Sequence, residues 1–217
     1  MLDMGFIVDI KKIISHTPKS RQTMLFSATM PQEIRNLAQS VMRNPETVSL
    51  SSDDMTVEEI NQNYYEVSHN DKFDCFVEVT RQENPESAIV FCNTKRWADT
   101  LTRLMRRNKL NARSLHGDMP QTKRDKIMKD FRSGKVKYLV ATDVAARGLD
   151  IRCVSHVFNY DVPQEPKNYV HRIGRTGRAG ETGKAITFIS PREIRSLWDI
   201  EHQCRTSIPQ APLPANL

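Results

Sequence analysis

The chain of 217 residues has no long apolar run and no pair of cysteines close enough to share a metal. No stretch approaches the roughly 20 apolar residues that carry a helix across a bilayer. Met1 to Lys12 also lacks the basic-then-apolar order of a signal peptide. No membrane partner is therefore expected, and a cytoplasmic location is the default. Cys75, Cys92, Cys153 and Cys204 lie far apart, with no Cys-x-x-Cys pair and no Cys/His set at zinc-ligand spacing. Reduced, structural thiols are expected, above all Cys92 in its apolar strand, and no metal site is. No period of about 20 to 50 residues recurs, which excludes a solenoid. Aromatics are few, at 7%. Phe91, Phe131, Tyr138, Phe158 and Phe188 occupy periodic apolar positions, so they read as core residues and not as platforms for stacked bases.

What remains is an average globular composition, 38% hydrophobic, with a formal net charge of +6. The length supplies one complete core plus an appendage. The basic excess favours a polyanionic partner without identifying one.

Apolar residues fall at helical intervals from Ile7 to Ile14. Gln22 to Phe26 then reads as a short strand. Pro31 opens a second amphipathic helix carrying Ile34, Leu37, Ala38 and Val41, and Val48 and Leu50 suggest one more short strand. A polar, acidic stretch from Ser51 follows and has the character of a linker. Beyond it strands and helices alternate. Strands are predicted at Asn63 to Val67, Ala88 to Cys92, Ala112 to Leu115, Val136 to Ala141, Val154 to Asn159 and Ala185 to Ile189. Helices are predicted at Lys72 to Arg81, Arg96 to Arg107, Gln121 to Arg132, Pro166 to Ile173 and Arg192 to Cys204. That alternation implies an α/β fold with a mostly parallel sheet and helices on both faces. The tail from Ile208 carries Pro209, Pro212 and Pro214 and is expected to be an unfolded tether.

Two segments carry chemistry. In Tyr169-Val-His-Arg-Ile-Gly-Arg-Thr-Gly-Arg178, Pro166 can open a helix, Gly174 suits a left-handed cap, and Arg175 and Arg178 leave from a stiff turn. Positioned guanidinium groups of this kind can stabilise the charge that develops during phosphoryl transfer. In Val140-Ala-Thr-Asp-Val-Ala-Ala-Arg-Gly-Leu-Asp150, a buried strand runs into a polar loop where Asp143 can cap a short turn closed by Gly148. Thr142 and Asp150 then lie at the carboxyl end of a strand, where open α/β sheets place their ligands.

These segments resemble motifs VI and V of the DEAD-box RNA helicases of superfamily 2. Four more matches stand in the family's order: Ser27-Ala-Thr29 as motif III, Phe91-Cys-Asn-Thr94 as motif IV, the His116-Gly-Asp118 turn, and Gln121-Thr-Lys-Arg124 as motif IVa. Met1-Leu-Asp-Met-Gly-Phe6 resembles the stretch that follows the Asp-Glu-Ala-Asp box. The resemblance implies RecA-like architecture, divided as a small α/β remnant of a first RecA-like lobe at 1–50, an interlobe linker at 51–60, a second lobe at 61–207 and a proline-rich tail at 208–217.

By the same resemblance, Arg175 and Arg178 are arginine fingers for the γ-phosphate of ATP, and Asp150 contacts its ribose. A plain cap or a salt bridge to Arg147 is the competing explanation for Asp150. Thr94, Gly117, Gln121, Arg124, Thr142 and Gly148 would hold an RNA backbone without reading its bases. Ser27, Thr29 and His171 would couple the nucleotide to interlobe closure, although Ser27 and Thr29 can also cap the Pro31 helix, and His171 can simply brace motif III. Neither a Gly-x-x-x-x-Gly-Lys-Ser/Thr loop nor an Asp-Glu-Ala-Asp box occurs in these 217 residues. The phosphate cradle and the Mg²⁺ carboxylates would therefore belong to a first lobe that the chain lacks, and that lobe becomes an implied partner. Self-association through an orphaned sheet edge in the remnant is also expected. The alternative is a non-enzymatic RNA- or protein-binding module that never turns over ATP.

Overall fold

The computed structural model describes residues 6–27, 30, 32–48, 60–146, 153–177 and 182–215. The chain divides into two compact units, Met1–Met55 and Thr56–Leu217.

The first unit contains helices α1 (Ile7–Ser15) and α2 (Gln32–Val41). α2 buries Ile34, Leu37 and Ala38, the residues its helical spacing places on one face. The Arg21 guanidinium donates to the Val41 carbonyl at 3.1 Å. Gln22 to Phe26 is not a strand: it has no regular structure, and Phe26 is 88% exposed. A strand exists only by pairing, and no other strand occurs among the described residues of this unit. Val48 is likewise outside any strand, and Leu50 lies outside the described residues. The sheet edge expected to template self-association is thus absent among the described residues. Phe6, Val8, Ile13 and Met24 are exposed instead.

The second unit is built on a six-stranded sheet of β1 (Ile60–Glu66), β2 (Ala88–Phe91), β3 (Ala112–Leu115), β4 (Tyr138–Ala141), β5 (His156–Asn159) and β6 (Gly183–Ile189). The strand order is β1-β6-β5-β2-β4-β3, and every pairing is parallel. The central strands β2 and β4 are buried at every residue, as continuous apolar runs between two helical layers should be.

Alternation along each strand separates the two faces. Ala88, Val90, Tyr138, Val140, Phe158, Ile186 and Phe188 face α3 (Lys72–Glu83) and α4 (Lys95–Arg107). Phe76 of α3 meets Phe158, Tyr160 and Phe188 edge-on, with centroids 5.3 to 5.7 Å apart. On the other face, Ile89, Phe91, Leu139 and Ala141 pack against α5 (Gln121–Arg132) and the short α6 (Asp143–Ala146). Ala185 and Ile189 pack against α7 (Pro166–Ile173) and α8 (Ile194–Cys204). All five aromatic residues assigned to the core from the sequence are buried. Cys75 and Cys92 are buried free thiols, and burial pushes the Cys75 thiol up to about 11 and that of Cys92 well above its ordinary value.

The proline-rich tail is not a loose tether. Ile208 and Pro214 are buried, and Gln210 forms a parallel bridge to Tyr64 at the free edge of β1. The Tyr64 amide donates to the Pro209 carbonyl at 3.0 Å, and the Ala211 amide donates to the Tyr64 carbonyl at 2.8 Å. These bonds need only a carbonyl from Pro209 and an N–H from Ala211, so the prolines do not obstruct them. Pro is tolerated at a sheet edge for this reason. Replacing Ala211 with Pro removes the donor and should cost on the order of 1 kcal/mol, while Ala211→Ser should cost almost nothing. Equilibrium urea unfolding compares the two, and equal stability would rule out the edge bond as a contributor.

Candidate functional site

α7 opens with Pro166 at its first turn, where the missing N–H costs nothing. Tyr169 and Ile173 form its inward face, and Arg172 lies between them, 1% exposed. A buried guanidinium is tolerated only when its donors are satisfied, and here all five N–H groups find acceptors. Nε and Nη2 donate to the two carboxylate oxygens of Asp143 at 2.7 and 2.8 Å. Nη2 also reaches Asn93 Oδ1 at 2.9 Å. Nη1 donates to the Asp161 carbonyl at 2.6 Å and, more weakly, to Asn159 Oδ1 at 3.4 Å. The ring of Phe91 packs 5.1 Å from the guanidinium carbon.

These acceptors follow or end three adjacent strands, with Asn93 after β2, Asp143 after β4, and Asn159 and Asp161 at the end of β5. Arg172 therefore joins three loops at the carboxyl ends of the sheet to one helix. Further bonds tighten the assembly. The Asn93 amide donates to Asp161 Oδ2 at 2.9 Å, Asn93 Nδ2 to the Val162 carbonyl at 2.9 Å, and Asn159 Nδ2 to Thr187 Oγ1 at 3.1 Å. Burial raises the Asp161 carboxyl above its ordinary value, although the Asn93 amide, Lys72 and Arg172 all pull it the other way. Asp143 was expected to cap the turn after β4. Its carboxylate is instead used by Arg172, and α6 is only four residues long.

After Arg172 the chain turns sharply. Gly174 has φ −63, so the left-handed cap expected there does not form, and a Cβ at this position would come within 3.0 Å of the Val170 carbonyl. The left-handed residue is Gly177, with φ +64. Thr176 is buried and donates to the Val154 and Ser155 carbonyls, while the Val154 amide donates to the Arg175 carbonyl at 3.0 Å. The turn is thereby fixed beside the entry to β5. Gly183, which opens β6, packs so closely that a Cβ would lie 2.8 Å from Gly177 Cα. Arg175 and His171 are half-buried, and with Phe91, Asp143, Ala146 and Arg172 they line a narrow cleft of about 10 Å³, room for little more than one water.

The other predicted positions divide by strand. Thr94 caps α4, its hydroxyl accepting from the Trp97 amide at 3.1 Å. Thr142 is half-buried at the end of β4, and its carbonyl accepts from the Ala146 amide at 3.0 Å. Gly117 is exposed in the turn after β3, closed by the Met119 amide donating to the His116 carbonyl at 3.3 Å. That turn is held by Asp99, whose carboxylate accepts from Ser114 Oγ at 2.6 Å and contacts His116 Nε2 at 3.1 Å. Burial alone would raise Asp99, but the Ser114 hydroxyl, His116 and Lys123 together hold it below its ordinary value. Asp118, the last residue of that turn, pairs with Lys95 at 2.6 Å, and α5 begins after Pro120 with no side-chain cap.

Gln121 and Arg124 lie in the first turn of α5, with Gln121 Nε2 donating to Asp125 Oδ1 at 2.7 Å. Because β2, β4 and β3 are neighbours, Thr94, Thr142 and Gly117 come to one end of the sheet. Ser27 is exposed in the first unit. Thr29, Gly148, Asp150 and Arg178 lie outside the described residues. Among the described residues no three His, Cys, Asp or Glu side chains gather as metal ligands.

Sequence reasoning missed the connecting role of Arg172, Asn93, Asp143 and Asn159. A signal was present: Arg172 shares the helical face of Tyr169 and Ile173, and a charged residue on an apolar stripe implies a buried partner.

Open parallel α/β sheets place their ligands beyond the carboxyl ends of the strands, and here the loops at that end are tied together by one buried arginine. The description of the helicase conserved C-terminal domain matches residues 71–180, and that of the DEAD/DEAH box helicases matches residues 1–37, so the chain belongs to the DEAD-box helicase family. It is 50% identical over 214 residues to the DEAD-box ATP-dependent RNA helicase CshA of Geobacillus kaustophilus, aligning 99% of this chain with 46% of that protein. It is 34% identical to S. cerevisiae Dbp5 bound to RNA and ADP BeF3, with a TM-score of 0.84, covering 94% of this chain and 54% of that one. A DEAD box protein from Methanococcus jannaschii is 39% identical, with a TM-score of 0.69, over 98% of this chain and 57% of its own. The chain thus spans about half the length of these relatives.

Arg172 yields a direct test. Arg172→Ala strands the Asp143 carboxylate among buried neighbours and should destabilise the protein by about 3 to 5 kcal/mol. Arg172→Lys keeps the charge but cannot bridge two carboxylate oxygens and two further loops, so it should recover less than half of that loss. Chemical denaturation measures both, and a Lys variant as stable as the parent would show that charge alone matters.

Proposed function

We propose that this chain is part of an ATP-dependent RNA helicase that couples ATP binding and hydrolysis to sequence-independent RNA binding and local separation of a short duplex. The observation that carries the reading is the Arg172 assembly, which fixes the loops after β2, β4 and β5 relative to α7 and so gives the cations and hydroxyls of those loops one defined geometry.

In this reading Arg175 and Arg178 face the γ-phosphate of an ATP held by a first lobe, where they offset charge developing on the transferring group. Asp150 holds the ribose. Thr94, Gly117, Gln121, Arg124, Thr142 and Gly148 contact phosphates and 2′-hydroxyls, and Ser27, Thr29 and His171 relay closure. The structural roles found for Thr94 and Gln121 are compatible with this assignment: a capping hydroxyl is fixed in place and retains a free lone pair, and Gln121 is exposed. ATP binds with Mg²⁺ in the family resemblance, and the carboxylates that would hold the ion belong to the first lobe. Mg²⁺ when bound neutralises phosphate charge, while the residues of this chain orient the nucleotide and exclude water from it.

ATP and RNA each bind both lobes, so either should raise the affinity for the other by the same factor. The isolated chain, which carries no phosphate-cradling loop, is proposed to bind RNA and not to turn over ATP. Self-association would rest on the exposed apolar side chains of the first unit and not on a strand edge.

Once the chain is joined to a first lobe, Arg175→Ala should lower single-turnover ATP hydrolysis by about 10² to 10³-fold, the scale on which a transition-state donor acts. Its melting temperature should stay near that of the parent. Hydrolysis at the parent rate would remove Arg175 from the catalytic residues. For the 217-residue chain alone, phosphate release should remain at background with or without RNA, and RNA-stimulated release would overturn the proposed inactivity.

A further inference from the structure

α4 presents Arg96, Asp99, Thr100, Arg103 and Arg106 along one stripe at helical spacing, and that stripe forms one wall of a groove of about 660 Å³. The opposite wall brings Arg113 and Ser114 from the edge strand β3, and Lys123 and Ile127 from α5. Five cations, Arg96, Arg103, Arg106, Arg113 and Lys123, line the groove, and all five are exposed. None of them forms an ion pair among the described residues. The single acid, Asp99, is engaged by Ser114 and His116.

Such a concentration of like charge is unfavourable in the free protein, because five cations share one acid, Asp99, and repel one another. Nothing in the packing of the core requires it, since the core side of α4 is supplied by Ala98, Leu101 and Met105. No aromatic side chain lines the groove, so it lacks the anchors that dominate protein interfaces. Guanidinium groups spaced along a cleft match instead a regular series of phosphates. From Arg96 to Arg106 the helix rises about 15 Å, long enough to follow several nucleotides. The groove is also continuous with the proposed RNA surface: Thr94 caps its α4 wall, and Lys123 lies in the same helical turn as Gln121 and Arg124.

We propose that this groove is a second backbone-binding site, which takes the phosphodiester backbone of single-stranded RNA beyond the nucleotides held by Thr94, Gln121, Arg124 and Thr142. The inference rests on the reading of this unit as RNA-binding. It adds a length-dependent and strongly salt-dependent contribution to affinity, supplied chiefly by Arg96, Arg103, Arg106 and Arg113, which lie outside the recognised motifs.

The test is fluorescence anisotropy of a labelled oligouridine long enough to reach both surfaces, titrated with the 217-residue chain at several potassium chloride concentrations. Three proteins are compared: the parent, the groove variant Arg103→Ala/Arg106→Ala/Arg113→Ala, and a control of equal charge loss, Lys129→Ala/Arg192→Ala/Arg195→Ala. All six positions are exposed, and thermal melting confirms folding. With about 0.7 lost from the logarithmic salt slope for each phosphate contact on a single strand, the groove variant should show a slope shallower by about 2 and affinity at least about tenfold weaker at low salt. The control should stay within about threefold of the parent, as expected of distant, screened charges. A groove variant that matches either the parent or the control overturns this inference alone. A parent that binds no RNA overturns the underlying functional reading, and this inference with it. Poly-glutamate that binds the parent as tightly as the RNA, and is lost from the groove variant while RNA is retained, would assign the groove to an acidic protein and refute the proposal.

Discussion

The second unit depends on satisfying one charge in its interior. A guanidinium taken out of water must recover its solvation from protein acceptors, and Arg172 does so with a carboxylate, two side-chain amide oxygens and a carbonyl drawn from separate segments of the chain. No single loop could offer that set. The loops after β2, β4 and β5 must therefore adopt mutually consistent positions, or a donor is left unpaired in a region of low dielectric. Specificity of geometry follows from that penalty more than from the net strength of any one bond. Arg175, three residues on, lies just past the end of the same helix, its amide donating to the Arg172 carbonyl and its carbonyl accepting from the Val154 amide.

Charge is used in two opposite ways within this unit. Arg172 is surrounded and neutralised, and its role is internal. Arg96, Arg103, Arg106 and Arg113 are exposed and form no ion pair among the described residues, so their charge is open to an approaching anion. Composition alone could not separate these uses, because Arg172 and Arg96, Arg103 and Arg106 alike are arginines within helices that also carry apolar residues. The distinguishing feature is helical phase. Arg172 falls on the stripe of Tyr169 and Ile173, whereas Arg103 and Arg106 fall opposite Leu101 and Met105.

Most of the parallel sheet was legible in the order of residues. Runs such as Ala88 to Phe91 and Tyr138 to Ala141 are apolar throughout, which only a strand covered on both faces requires, and the helices between them carry clear apolar stripes. The misreadings share a cause, since each turned on a partner distant in sequence. Gln22 to Phe26 has strand-forming residues but no described strand beside it. Asp143 had the right position to cap, yet Arg172, 29 residues away, competes for its carboxylate with two bonds. Gly174 was assigned the left-handed conformation that Gly177 adopts, because the close approach of Gly183 fixes where the turn must bend. Of the candidate site, the motif residues themselves could be named from the sequence. The network that holds them could not, since Asn93 and Asn159 look like ordinary strand-end polar residues until Arg172 is placed between them.

The docked tail of the second unit bears on how the sheet meets its surroundings. A parallel sheet exposes a row of amides and carbonyls at each border, and unprotected borders recruit foreign strands. Beyond β1, the amide and carbonyl of Tyr64 at the middle of that row are taken up by Pro209 and Ala211, and the next residue in the outward-facing register, Pro212, has no hydrogen to give. Imino acids thus terminate the ladder: a peptide arriving from solvent finds an incomplete set of donors and cannot extend the sheet there. Lateral growth of this fold is discouraged chemically on one flank and, at Arg113 on the other, by charge.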